Sequence, residues 1–332
     1  MCSARCERHA APPQPRLTRG YEAAVYGALL AGCRSFHGGT GGAARDLSDT
    51  AARLFPACGG LFVGAGSESA AFEAVRAEAE GGDRTMAAAS GSALWHLLAD
   101  AERAQLPLVA LHVRADALES EVVPAGGEPA FVLAPASPQE LADMTCLAFD
   151  LAQRHRRPVV VLVDPFLGQM VEPVSLPCVT CDRQHRKFVS VEAHGACCAS
   201  PGHMVSIGDP TVVDGTGRRQ ARWEEAGTAD AEVLLVSWGS AARILPRAMG
   251  LARAQGVRAG FLRPISLAPF PTSRLAQLTD SVRAVVLLES APSPWSDVVR
   301  TAAGGRAPVT VLRGASGTGL PSAEEIVPAL RA

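Results

Sequence analysis

One carboxylate in this chain stands where chemistry is commonly done. In Gly60-Leu-Phe-Val-Gly-Ala-Gly-Ser-Glu-Ser-Ala-Ala-Phe-Glu-Ala-Val75, Glu68 follows a short apolar run, two glycines and a serine, and opens a helix-forming stretch. An acid at the end of a strand in an α/β sheet is well placed to hold or move a proton on a bound ligand. Read locally, the same residue is also what a helix dipole favours in a first turn. Arg114 directly follows the apolar run Leu106–Val113. It offers a guanidinium to a substrate carboxylate, or to an ion pair on the surface. Cys178-Val-Thr-Cys181 and Cys197-Cys198 lie among His185, His194 and His203. Thiolate pairs reach one tetrahedral zinc, yet the second pair is adjacent rather than two apart, and reduced loop thiols explain them as well. Gly39-Thr-Gly-Gly-Ala-Ala44 partly fits the G-x-G-x-x-[GA] dinucleotide fingerprint. The ribose-binding acid it needs is not cleanly placed, since the first acidic residue beyond, Asp46, already falls in the next helix.

The elements that must position these residues read as an alternation of strands and helices. Gly60–Val63 is a short buried strand, Gly64 and Gly66 let the backbone turn, and Ser67 caps a helix to about Glu80. Before it come a helix from Tyr21 to about Ala31, a strand around Cys33–Phe36 and a helix from about Ala43 to Phe55. Further strands end near Ala88, Val113, Ala134 and Val163, with helices from about Ser92 and Pro138. Such alternation predicts a parallel sheet covered by helices on both faces. After a cysteine-rich irregular stretch the pattern resumes with strands at Val233–Trp238, Val257–Leu262, Ala284–Leu288 and Val309–Leu312. Helices at Ala241–Gln255, Pro271–Asp280, Trp295–Ala302 and Ala323–Leu330 separate them. The expected organisation is a proline-rich disordered tail over 1–19, a first domain over 20–172, an irregular linker over 173–230 and a smaller α/β domain over 231–332.

Composition limits the partners. The 332 residues suffice for two ordinary domains, and with 48% apolar side chains the core is substantial. Charges of 31 and 33 nearly cancel, leaving −2, which argues for neither nucleic acid nor an acidic membrane surface. No apolar run approaches the roughly eighteen residues of a membrane span. The nine cysteines, an odd number with no secretory signal, imply a cytoplasmic chain with reduced thiols. No Walker loop and no G-x-S-x-G elbow occurs.

Several of these segments, taken in order, resemble one family. Gly20–Phe36, the turn at Glu68, Ala89-Ser-Gly-Ser92, Leu106–Val113, Val132–Glu140 and Arg157–Asp164 are similar to the alpha subunit of the 2-oxoacid:ferredoxin oxidoreductases, nearest the 2-oxoglutarate type. Ser237–Arg243 and Leu262–Pro271 resemble that family's second domain. The resemblance implies a thiamine diphosphate-binding (pyrimidine-type) domain followed by a transketolase C-terminal-like domain. It further implies thiamine diphosphate at a subunit interface. There a glutamate, at the position of Glu68, bonds N1′ of the aminopyrimidine and favours the imino tautomer that deprotonates the thiazolium. Ser90 and Gly91 match a turn beside the cofactor, although a strand-to-helix cap explains them equally.

Two departures concern the substrate. The family's tyrosine-proline-isoleucine-threonine-proline-serine loop is replaced by Gly39–Ala44, leaving Gly42 where the threonine belongs and Thr40 nearby. The family's arginine-led glycine loop is represented by Arg114 alone, so Thr40 and Arg114 are the expected substrate contacts. The Gly-Asp-Gly signature of the usual diphosphate-magnesium site is missing. A beta-type partner subunit is therefore expected to hold the diphosphate, Mg²⁺ and an iron-sulfur cluster, with no metal on this chain. The implied reaction is oxidative decarboxylation of a 2-oxoacid with coenzyme A as acceptor and electrons to a ferredoxin-type carrier. Alternatives are a non-catalytic scaffold paralogue and a transketolase-like transferase subunit.

Overall fold

The computed structural model describes residues 14–39, 41–91, 93–114, 130–176, 221–289, 293, 295–314 and 321–330. The strands are β1 (Arg16–Arg19), β2 (Ser35–Gly39), β3 (Leu61–Ala65), β4 (Thr85–Ala89), β5 (Val109–Val113), β6 (Phe131–Leu133), β7 (Val159–Val163) and β8 (Val171–Val174). They continue as β9 (Trp223–Ala226), β10 (Val233–Val236), β11 (Ala259–Pro264), β12 (Ser266–Ala268), β13 (Ala284–Leu288) and β14 (Val309–Leu312). A seven-stranded sheet runs β12-β6-β7-β5-β4-β2-β3, and a five-stranded sheet runs β14-β13-β10-β11-β9. Neighbours are parallel in both except at one edge each, where β12 opposes β6 and β9 opposes β11.

Period-two alternation along the buried strands divides the core of the first sheet. Phe36, Met86, Leu111 and Val161 pack under α1 (Gly20–Leu30), α2 (Arg45–Ala57) and α5 (Pro138–His155). On the opposite face the small residues Ala87, Ala89 and Ala110 let α3 (Glu68–Glu80) and α4 (Ala93–Arg103) approach closely through Phe72, Val75 and Trp95. That second cluster continues into the five-stranded sheet through Leu234, Val236, Leu262 and Leu287, so the two sheets share one apolar layer.

Polar clamps fasten the same junction. The buried guanidinium of Arg263 on β11 bonds both oxygens of Glu140 on α5, and reaches Glu224 at 3.0 Å. Burial opposes its charge, and Glu140 with Glu224 outweighs that, holding the group above its ordinary value. Asp164 caps α6 (Pro165–Gln169) by accepting from the Leu167 amide at 2.7 Å, and also accepts the Ser240 amide at 3.2 Å from the other sheet.

Three expectations need correction. The tail expected over 1–19 is ordered at its end, because Arg16–Arg19 forms β1 and pairs antiparallel with β8. A run with a single apolar residue, Leu17, carries no local strand signal; the partner strand supplies it. The stretch from 173 to 230 is likewise not irregular at its ends, since β8 occupies its beginning and β9 lines β11 near its close. Its cysteines and histidines, Cys178 to His203, lie outside the described residues. The helix expected from Ala241 begins as a 3-10 turn over Gly239–Ile244 and turns α-helical only at Leu245. Pro246, which lacks an N–H, sits in its first turn, where none is needed. Among the described residues, no helix is long and apolar enough to cross a membrane.

Candidate active site

Glu68 is put in place by the end of β3 and the start of α3. β3 runs on through Gly64 and Ala65, which pair with Gly38 and Gly39, so the chain bends at Gly66 and Ser67 rather than at Gly64; the hydroxyl of Ser67 accepts the Ala70 amide at 3.1 Å, which starts the helix one residue later. The carboxylate then crosses the end of β2 to meet the turn after β4. Its Oε1 accepts the amide and the hydroxyl of Ser90, each at 2.7 Å, and its Oε2 accepts the Gly91 amide at 3.0 Å. Since β2 lies between β3 and β4, a side chain spanning them needs small residues beneath it. A β-carbon at Gly39 would lie 3.9 Å from Glu68 Cγ, and one at Gly91 would lie 3.1 Å from Oε2. Gly42 adopts φ +72°, and a β-carbon there would come within 2.7 Å of Ser90 Oγ. The glycine run that partly fits a dinucleotide fingerprint thus floors the space around a carboxylate.

The arrangement suits proton exchange with a flat ring edge. The carboxylate is half-buried, faces the N-terminal dipole of its own helix and is surrounded by uncharged small residues. Oε2 takes one donor among the described residues, so a lone pair remains for a ring nitrogen. No group of three or more His, Cys, Asp or Glu is arranged to hold a metal among the described residues.

Of the expected site residues, Glu68, Ser90 and Gly91 come together. Thr40 lies outside the described residues, between Gly39 and Gly41. Arg114 leaves the end of β5, the strand beside β4, and lines a recess between the sheets with Asp164, Trp238, Gly239, Ser240 and Glu289. Neither Glu68, Ser90 nor Gly91 is in that lining, and the recess holds about 20 Å³, the space of a single water. Buried Glu289 there accepts from Ser296 at 2.5 Å and from Arg313 at 2.8 Å.

Sequence reading missed a second polar cluster under α3. His37 and Ser35 point from β2, Thr85 from β4 and Glu78 from the helix. His37 Nε2 lies 3.1 Å from Glu78 Oε2, and the Ser35 hydroxyl is shared between Glu78 and Thr85 Oγ1, the latter at 2.9 Å. Burial pushes the Glu78 carboxyl up, but bonds from Ser35, His37 and Thr85 prevail and hold it below its ordinary value. The available signal was Ser35 and His37 alternating on one strand, both polar at inward positions.

Residues 46–214 match the thiamine diphosphate-binding domain of the pyruvate flavodoxin/ferredoxin oxidoreductases, and residues 231–326 match core domain II of pyruvate:ferredoxin oxidoreductase. The ketoisovalerate oxidoreductase subunit VorB of Methanothermobacter marburgensis is 32% identical over 329 residues, covering 88% of this chain and 90% of that protein. The chain belongs to the 2-oxoacid:ferredoxin oxidoreductase family. Among solved structures, the 2-oxoglutarate:ferredoxin oxidoreductase of Magnetococcus marinus, with 2-oxoglutarate, coenzyme A and succinyl-CoA bound, superposes with a TM-score of 0.73 at 19% identity. The match takes in 96% of this chain and 65% of that one, so this chain spans somewhat under two thirds of it. A split-gene transketolase, solved as an inactive β4 tetramer, gives a TM-score of 0.59 at 15% identity over 95% of this chain and 98% of that one. The fold is accordingly that of the thiamine-dependent oxidoreductases and transketolases, with Glu68 inside the segment matched to the thiamine diphosphate-binding domain.

Proposed function

We propose that this chain is the alpha-type subunit of a heteromeric 2-oxoacid:acceptor oxidoreductase, that Glu68 is its cofactor acid, and that residues 20–172 and 231–332 are its two domains. The observation that carries this is the Glu68 carboxylate, held at the glycine-floored C-terminal rim of the parallel sheet with one lone pair free among the described residues. Thiamine diphosphate, when bound, would supply a nucleophilic carbon for the 2-oxoacid carbonyl and a cationic ring that takes up the electron pair left behind when carbon dioxide departs. Glu68 Oε2 would hold a proton against the nitrogen of the pyrimidine edge. Gly42 and Gly91 leave the space that ring needs, which is the sense in which these residues fit the group. A beta-type partner would supply the diphosphate and Mg²⁺ contacts and an iron-sulfur cluster, in keeping with the missing Gly-Asp-Gly signature. Coenzyme A would take the acyl group and a ferredoxin-type carrier the electrons.

Arg114 favours a second reading. Because it lines a recess with Asp164 and Glu289 whose lining does not include Glu68, a scaffold that has lost its substrate contacts fits that one residue. The test is to purify the tagged chain with its partners, measure bound thiamine diphosphate and iron, and follow 2-oxoacid-dependent dye reduction. Parent turnover with at least about a hundredfold loss in Glu68→Gln is expected of a proton-transferring acid. Equal turnover in the two would favour the scaffold.

A further inference from the structure

The donors on Glu68 are not equivalent. Among the described residues Oε1 accepts two of them, the Ser90 hydroxyl and amide at 2.7 Å each, whereas Oε2 accepts the Gly91 amide alone, at 3.0 Å. Two donors fill the in-plane lone pairs of one carboxylate oxygen, so Oε1 is committed to the turn and Oε2 is the oxygen with capacity left. Of the three donors, only the hydroxyl belongs to a side chain. Its position depends in turn on Gly42, where a β-carbon would come to 2.7 Å from Ser90 Oγ and 4.0 Å from Glu68 Oε1. A hydroxyl yields to such an intrusion by rotating about χ1, and rotation takes it off Oε1.

We propose that Ser90 is a positioning residue for Glu68, and that glycine at position 42 is what keeps its hydroxyl in place. The hydroxyl and amide lock Oε1 so that Oε2 faces the ring nitrogen. This rests on the reading of Glu68 as the cofactor acid, and it makes Ser90 a residue that acts through that acid rather than on the cofactor.

The test uses the complex purified with the tagged chain and loaded with thiamine diphosphate and Mg²⁺, without any 2-oxoacid. Two readouts are the Kd for thiamine diphosphate and the rate at which its thiazolium C2 hydrogen exchanges with solvent deuterium, followed by quench and NMR. Ser90→Ala should leave Kd within about threefold and slow exchange about tenfold, the size of one hydrogen bond to a charged group. Ser90→Thr, which keeps a hydroxyl, should restore it. Gly42→Ala should slow exchange in the parent chain and slow it less in the Ser90→Ala background, where no hydroxyl is left to displace and only the strain of a β-carbon at φ +72° remains. Parental exchange in Ser90→Ala alongside slow exchange in Glu68→Gln overturns the positioning role and leaves the cofactor acid standing. Parental exchange in Glu68→Gln as well overturns the reading beneath it. Should Ser90→Ala fail to assemble, Gly42→Ala carries the test, and an undiminished rate there sinks the proposal.

Discussion

Helix α3 carries two glutamates that are held against the same pair of strands, one at each end. Glu68, in its first turn, meets β4 beyond the strand's C-terminal end and is bound by two backbone amides and one hydroxyl. Glu78, near its last turn, meets β2 and β4 from the helix side and is bound by the side chains of Ser35 and Thr85 beside a buried histidine. The difference lies in what surrounds them. Around Glu68 stand, among the described residues, Gly39, Gly42 and Gly91, which leave a face of the carboxylate open; around Glu78 stand side chains that bond it. A carboxylate fixed by the backbone and floored by glycine can serve a ligand, whereas one tied into side chains holds a helix to its sheet.

Exchanging the two acids for amides should separate these roles. Glu68→Gln is expected to lower 2-oxoacid-dependent dye reduction at least about a hundredfold, with a Tm within about 3 °C of the parent. Glu78→Gln should keep turnover and lose stability; a loss of turnover as deep as that of Glu68→Gln would erase the distinction.

The next effect is on stability alone. Ser35→Ala removes the hydroxyl that bridges partly exposed Glu78 and buried Thr85, and takes one bond from each. About 1–3 kcal/mol should be lost in denaturant unfolding, with catalytic rates unaffected.

Acid should act on the Glu78 end. A carboxyl held low in the folded state adds stability that is present above its unfolded value, near 4.5, and is lost as pH falls through the lower folded value. The denaturation midpoint should therefore drop below about pH 4.5, and drop less in Glu78→Gln. An identical drop in both chains would assign the effect to other groups.

The smallest effect sharpens the glycine argument. At Gly39 a β-carbon meets Glu68 Cγ at an ordinary 3.9 Å, and its backbone is not left-handed. Gly39→Ala should keep activity within about twofold. A much larger loss would mean that the cofactor ring, rather than the Glu68 stem, sits over β2.

Much of this architecture is legible in the residues. Ser67 caps the helix that its hydroxyl predicts, and the apolar runs at Val109–Val113 and Val159–Val163 form the buried parallel strands. The short pieces β1, β8, β9 and β12 are not legible, because none has an apolar alternation of its own; their strand character comes from a neighbour with unpaired backbone groups. Ser90 and Gly91 were readable as a turn near the site, but not as the donors that hold Glu68.

The amino-acid order by itself determined the alternation of strands and helices, the glycine hinge before Glu68 and the family, since each depends on local spacing or on motifs in sequence. Folding alone decided that Glu68 reaches over β2 to Ser90, that Glu78 lies against His37, and that Arg114 lines a recess between the two sheets. Those outcomes turn on which strands lie side by side and on which Cβ positions are empty, and a linear chain does not state either.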